Sequence, residues 1–170
     1  MPNCFTALST GQFDLLGLKV PCALGKGGVI VATEKREGDN CSPLGIWPIR
    51  RVLYRPDREP CPQTDLPVTA LRIEDGWCDD VADPAYNQPV QLPYAARHER
   101  LWRDDGVYDL IVVLGHNDDP PVPGLGSAIF LHLARPDFTG TEGCVALRRD
   151  DLLAFLRVAR LGDTLAIVAA

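Results

Sequence analysis

"SAIFLHLARPDFTGTEGCVAL", residues 127–147, passes from a near-continuous apolar stretch through a return rich in Pro and Gly into a second apolar stretch. Its first eight residues have the length and the branched and aromatic content of a buried strand. "VYDLIVVLGH", residues 107–116, has the same character, so the two read as paired central strands with the irregular "NDDPPVPGLG" between them. His132 closes the second strand and Cys144 follows a glycine twelve positions later. A histidine on an apolar strand is ordinarily a satisfied core residue, and a cysteine ahead of Val and Leu ordinarily packs. If the return brings them together, the imidazole could take the thiol proton, because a free thiol near pKa 8.5 is only slightly ionised at neutral pH. Gly143 would permit a tight turn whose backbone N–H groups converge on one point, as an oxyanion requires.

Outward from this stretch the chain is β-rich. "GGVIVATEK" (27–35), "GIWPIRRVLYR" (45–55) and "LPVTALRIED" (66–75) are bounded by Gly, Pro and Asp, the punctuation of short strands. Pro48 implies that its strand lies at a sheet edge. "RDDLLAFLRVARLG" has helical spacing, with aspartates in its first turn and a stop at Gly162, and "DTLAIVA" reads as a last strand. Residues 76–106 have neither a period of 2 nor one of 3.6, and so read as a long capping loop. Within it Asp79, Asp80, Asp83, Tyr86 and Asn87 are candidates to line a cleft, while Trp77, Tyr94 and Trp102 would pin the loop down. His116, with Asn117 and Asp118 beside it, is a further candidate for ligand binding at a strand end.

The chain has 170 residues, 46% apolar and 24% charged, enough for one domain that buries about 70% of its unfolded surface. A net charge of −6 with no basic stripe excludes nucleic acid as a partner. No apolar run approaches a membrane span, and the N-terminus shows no signal peptide. The six cysteines lie 17 or more residues apart without a CxxC pair, which argues against a metal site.

"HLARPDFTGTEGCVAL" resembles the signature of the L,D-transpeptidase (YkuD-type) catalytic domain, in which a histidine precedes [S/T]-x-G-C by a similar interval. "EGDNCSPLGIWPI" (37–49) resembles a second marker of that family through Gly38, Asp39, Ser42, Pro43, Gly45 and Trp47. The two occur in the family's order, and the resemblance spans residues 24–169. It implies a mainly β sandwich or barrel with one docked α-helix and a capping loop, occupying residues 1–170 as a single catalytic domain. Residue by residue it makes Cys144 the nucleophile and His132 the base, oriented through the Leu133 carbonyl. Thr141 would be the conserved hydroxyl, with Gly143 and Cys144 supplying oxyanion donors.

The implied activity is acyl transfer between peptidoglycan stem peptides through a thioester, in the periplasm or cell envelope, with no cofactor and with sensitivity to carbapenems. The cross-link would be of the 3-3 type, or 1-3 in a divergent branch; water as acceptor would make an L,D-carboxypeptidase. The chain departs from the family at Ala146, where Arg or Asn is usual, and at Leu133, where Gly often follows the base. A papain-like order is excluded, since no histidine follows Cys144. A catalytically silent domain that binds glycan or peptide is the alternative from another class.

Overall fold

The computed structural model describes residues 1–170. Strands β1 (Cys4–Leu8), β2 (Gln12–Leu15) and β3 (Leu18–Ala23) form an N-terminal meander. Next come β4 (Val29–Val31), the long β5 (Ser42–Tyr54) and β6 (Val68–Ala70). Three short strands follow, β7 (Asp75–Cys78), β8 (Pro89–Gln91) and β9 (His98–Arg100). The remainder is β10 (Leu110–Leu114), β11 (Phe130–Leu133), β12 (Val145–Leu147), helix α1 (Arg149–Val158) and β13 (Thr164–Val168). The main sheet runs β10-β11-β12-β3-β2-β1-β13-β5, and β5 pairs back onto β10, so the sheet closes into a barrel. This is the mainly β architecture with one docked helix that the sequence implies.

The paired apolar runs become β10 and β11, antiparallel, with Ile111 opposite His132 and Val113 opposite Phe130. Every residue of both strands is buried. Their lack of alternation follows from burial on both faces. Leu110, Val112, Leu114, Leu131 and Leu133 point into the main core, while Ile111, Val113 and Phe130 belong to a second cluster outside the barrel. Helix α1 closes the main core: Phe155, fully buried, lies 4.6 Å from Phe5 and 6.2 Å from Phe13 between ring centroids. Burying each such ring contributes about 2 kcal/mol. The helix ends at Val158, short of Gly162, because Ala159 turns extended.

Two expectations change. Pro48 is not at a sheet edge: β5 pairs with β13 over Gly45–Pro48 and with β10 over Ile49–Tyr54. Pro48 sits where the strand exchanges partners, so its missing N–H interrupts neither ladder. Residues 76–106 are not purely irregular. They carry β7, β8 and β9, a three-stranded antiparallel sheet in the order β8-β7-β9. Strands of three or four residues separated by turns are too short to show a period. Trp77 drives this small sheet onto the barrel, its ring edge-on to Phe130 at 5.0 Å, and Arg55 lies 3.7 Å over Trp102. Tyr94 instead bonds within the segment, donating to Asp83 at 2.8 Å.

Candidate active site

Period-2 geometry places the candidate residues. Leu131 and Leu133 face the barrel core, so Phe130 and His132 face outward; Val145 and Leu147 face the core, so Cys144 and Ala146 face outward with them. β11 and β12 are parallel, with His132 directly opposite Ala146. Thiol and imidazole therefore occupy adjoining positions on one face. A parallel connection usually needs a dozen or more residues and a helix, but here the loop 134–144 suffices because it is pinned midway. Thr141 N–H donates to Leu24 O at 2.9 Å and Lys26 N–H donates to Thr141 O at 2.7 Å.

The turn before Cys144 is held from two sides. Thr141 Oγ1 donates to Cys144 O at 2.6 Å and accepts from Gly143 N–H at 3.1 Å. From the start of β5, the fully buried Ser42 donates to Gly143 O at 2.8 Å and accepts from Gly25 N–H at 2.9 Å. Ser42 thus joins the two sequence markers physically. Gly143 has φ +134, and a Cβ there would lie 2.9 Å from Cys41 O, so only glycine fits. In the upstream marker, Asp39 folds the approach to Ser42. It accepts from the N–H groups of Arg36 and Cys41 and pairs with the buried Lys35 at 2.5 Å.

Cys144 Sγ accepts from Phe130 N–H at 3.3 Å and donates to Ala128 O at 3.2 Å. Burial, reinforced by the negative charge of Glu99, pushes its pKa up to about 12, so the resting group is a thiol. His132 Nδ1 lies 2.9 Å from Leu133 O. A carbonyl only accepts, so the proton belongs on Nδ1 and the lone pair on Nε2. Burial lowers the imidazole to about 4, leaving it neutral. The edge of the Tyr108 ring packs on it at 5.2 Å.

Both groups line a cleft of about 520 Å³ with Ala146, Thr141, Tyr108 and Glu99. Ala146 opposite His132 leaves room where a long polar side chain would otherwise enter. The capping segment contributes Asp79, Arg97, Glu99 and Arg103 to the walls. The Tyr108 hydroxyl makes a short hydrogen bond to Glu99 Oε1. Glu99 and Arg103 carried no signal in the sequence, since they reach the cleft from a segment without a periodic pattern, and Tyr108 read only as part of an apolar strand.

The other candidates lie elsewhere. Asn87, buried, is a structural staple: its Oδ1 accepts from Trp77 Nε1 at 2.9 Å and Ala128 N–H at 3.0 Å, and its Nδ2 donates to the carbonyls of His116 and Asn117. The hydroxyl of buried Tyr86 accepts from Gly126 N–H at 3.0 Å. Asn117 bonds Val122 and Gly126 within its own loop, and Asp118 pairs with Arg50 at 2.9 Å. His116 is sealed edge-on against Trp47 at 4.7 Å. None of the five lines the cleft. Asp79 does line it, whereas Asp80 and Asp83 accept from backbone N–H groups of their own segment. Gly143 N–H, expected as an oxyanion donor, is engaged by Thr141; Cys144 N–H is the one without an acceptor. All six cysteines are free thiols, and no cluster of His, Cys, Asp and Glu is arranged to hold a metal.

A buried thiol and a carbonyl-oriented imidazole on one face, both lining a polar cleft, have the chemistry that a Cys/His pair needs for acyl transfer. The chain matches the L,D-transpeptidase catalytic domain (YkuD) over residues 9–168 and belongs to that family. Among solved structures it is similar to L,D-transpeptidase 1 of Mycobacterium tuberculosis, with 12% identity and a TM-score of 0.45, covering 99% of this chain and 62% of that one. A comparison with curated proteins found no match.

Proposed function

We propose that the protein is a cysteine L,D-transpeptidase acting on peptidoglycan stem peptides, with Cys144 as nucleophile and His132 as proton carrier. The observation that supports this most is the lock of His132 Nδ1 on Leu133 O, which leaves a free Nε2 lone pair on the one imidazole lining the cleft that holds Cys144 Sγ. Resting thiol and imidazole are both neutral, so proton transfer accompanies the attack rather than preceding it. Cys144 sulfur then attacks the donor carbonyl as Nε2 takes its proton. The oxyanion forms against the Cys144 N–H. Collapse breaks the peptide C–N bond, Nε2–H protonates the departing amine, and a thioester remains. An acceptor amine loses its proton to Nε2, attacks the thioester and expels the thiolate, giving a cross-linked peptide. This substrate would place the enzyme in the periplasm or cell envelope. No helix is long and apolar enough to cross a membrane.

The test is incubation with purified stem tetrapeptides and mass analysis of products. Dimers that are absent in Cys144→Ala support the reading, and their fragmentation assigns the 3-3 or 1-3 bond. Tripeptides without dimers would indicate a carboxypeptidase. Absence of both products, together with absence of a carbapenem adduct on Cys144, would leave a binding domain.

A further inference from the structure

The charged groups around the cleft are unequally satisfied. Arg103 forks onto Asp105 at 3.1 and 2.6 Å, Arg135 meets the same carboxylate at 2.9 Å, and Arg97 holds Asp79 at 3.0 Å. Glu37 accepts from Ser127 at 2.5 Å, and Glu142 is exposed to solvent. Glu99 is different. Its side chain is only 23% exposed, and its one cation, Arg103 Nη1, stands 3.8 Å away, beyond hydrogen-bond reach, because the Nε and Nη2 of that guanidinium are forked onto Asp105. Tyr108 OH is its only hydrogen-bond donor, leaving Oε2 without one. A carboxylate so placed has only a distant counter-charge and no hydrogen-bonded cation, which a ligand can bring. It lines the same cleft as Cys144: after burial, repulsion from Glu99 is the next cause that holds Cys144 in the thiol form, and burial raises Glu99 itself to about 7.

We propose that Glu99 is the cation-selecting carboxylate of the cleft, seating a ligand ammonium with Tyr108 and, by being neutralised there, lifting its repulsion of a developing Cys144 thiolate. The proposal rests on Cys144 being the nucleophile. It makes Glu99 both a specificity determinant and a gate, since the thiol gains reactivity when an amine-bearing ligand occupies the cleft. A neutral ligand of the same size leaves the repulsion in place.

The experiment labels the full chain at pH 8 with methanethiosulfonates carrying an ethylammonium, a methyl or an ethylsulfonate group. In each case the Cys144 sulfur forms an S–S bond and methanesulfinate departs. Rates at Cys144, followed by peptide mass and normalised to glutathione, should favour the ammonium reagent over the methyl reagent by about tenfold. In Glu99→Gln that preference should vanish and the methyl reagent should react severalfold faster, while Glu99→Asp keeps part of the preference. Melting curves check that both variants fold. An unchanged preference in Glu99→Gln, or equal slowing of all three reagents, overturns the proposal while leaving Cys144 as nucleophile. No labelling of wild-type Cys144 by any reagent overturns both.

Discussion

His132 and His116 end neighbouring stretches of the barrel wall, both are buried, and burial lowers both to about 4. By titration they are twins. Their surroundings divide them. His132 Nδ1 is bonded to Leu133 O and its ring opens onto the cleft with Cys144. His116 Nδ1 is the only buried side-chain polar atom without a partner, and its ring is closed in by Trp47 and by Lys35, whose charge lowers it further. A perturbed imidazole therefore does not mark a catalytic group unless it is both oriented and accessible. The difference can be broken by substitution at either site.

The largest effect is on turnover. His132→Gln should lower the rate of Cys144 acylation by 10²- to 10⁴-fold, roughly the contribution of a positioned general base. His116→Leu should stay within about threefold of wild type. It should also match or exceed wild-type stability by about 1 kcal/mol in denaturant unfolding, because an unpaired buried nitrogen gives way to an apolar group of similar size. Loss of acylation in His116→Leu with a normal melt would erase the distinction.

The next effect is on stability against pH. The unfolded chain protonates each histidine near 6.5 and the folded chain only near 4. Each therefore contributes stability that is complete above pH 6.5 and lost as pH falls toward 4, about 3 kcal/mol at most. Glu99 acts in the opposite sense. Raised to about 7, it favours the folded state below the unfolded value of 4.5 and loses that contribution as pH rises through 7. From these three groups alone the wild type loses about one histidine's worth, roughly 3 kcal/mol, between pH 7 and 4, and Glu99→Gln about twice that, while other groups such as Asp105 shift both proteins alike. Equal slopes in urea titrations of the two proteins would show that Glu99 does not titrate as its burial requires.

How far the sequence could carry these conclusions depends on how local each cause is. β10 and β11 were legible because burial on both faces leaves unbroken apolar runs. Cys144 and His132 could be paired as candidates because Thr141 and Gly143 complete a [S/T]-x-G-C pattern whose cysteine lies twelve residues after the histidine. Pro48 misled because its meaning depends on where β5 changes partners, which only the closed sheet decides. Asn87 read as a ligand-binding group, yet its positive φ of 57 and its four bonds tie the capping sheet to residues 116–128. Glu99 was invisible because nothing in its own short strand marks it; its place beside Tyr108 and in the cleft of Cys144 comes from the folded chain.

That staple gives the third prediction. Asn87→Ala leaves the Trp77 indole N–H and the Ala128 N–H unpaired and forces alanine into a left-handed backbone, so it should cost about 3 kcal/mol. Because Ala128 O receives the Cys144 thiol proton, alkylation of Cys144 should change as well. The His116 side should be affected less, since it loses only hydrogen bonds accepted by its carbonyls.

The smallest effect separates the turn from the histidines. Ser42 bonds to neither ring, but its hydroxyl links Gly25 N–H to Gly143 O, next to Cys144. Ser42→Ala leaves a buried donor and a buried acceptor unpaired, costing about 1–2 kcal/mol, while Thr141 still grips the turn through Cys144 O and Gly143 N–H. The Cys144 backbone N–H is then aimed less tightly. Acylation, which needs that donor at the oxyanion, should fall severalfold, whereas alkylation by neutral iodoacetamide, which forms no oxyanion, should hardly change. Equal slowing of both reactions would mean that Ser42 acts on the thiol itself rather than on the donor next to it.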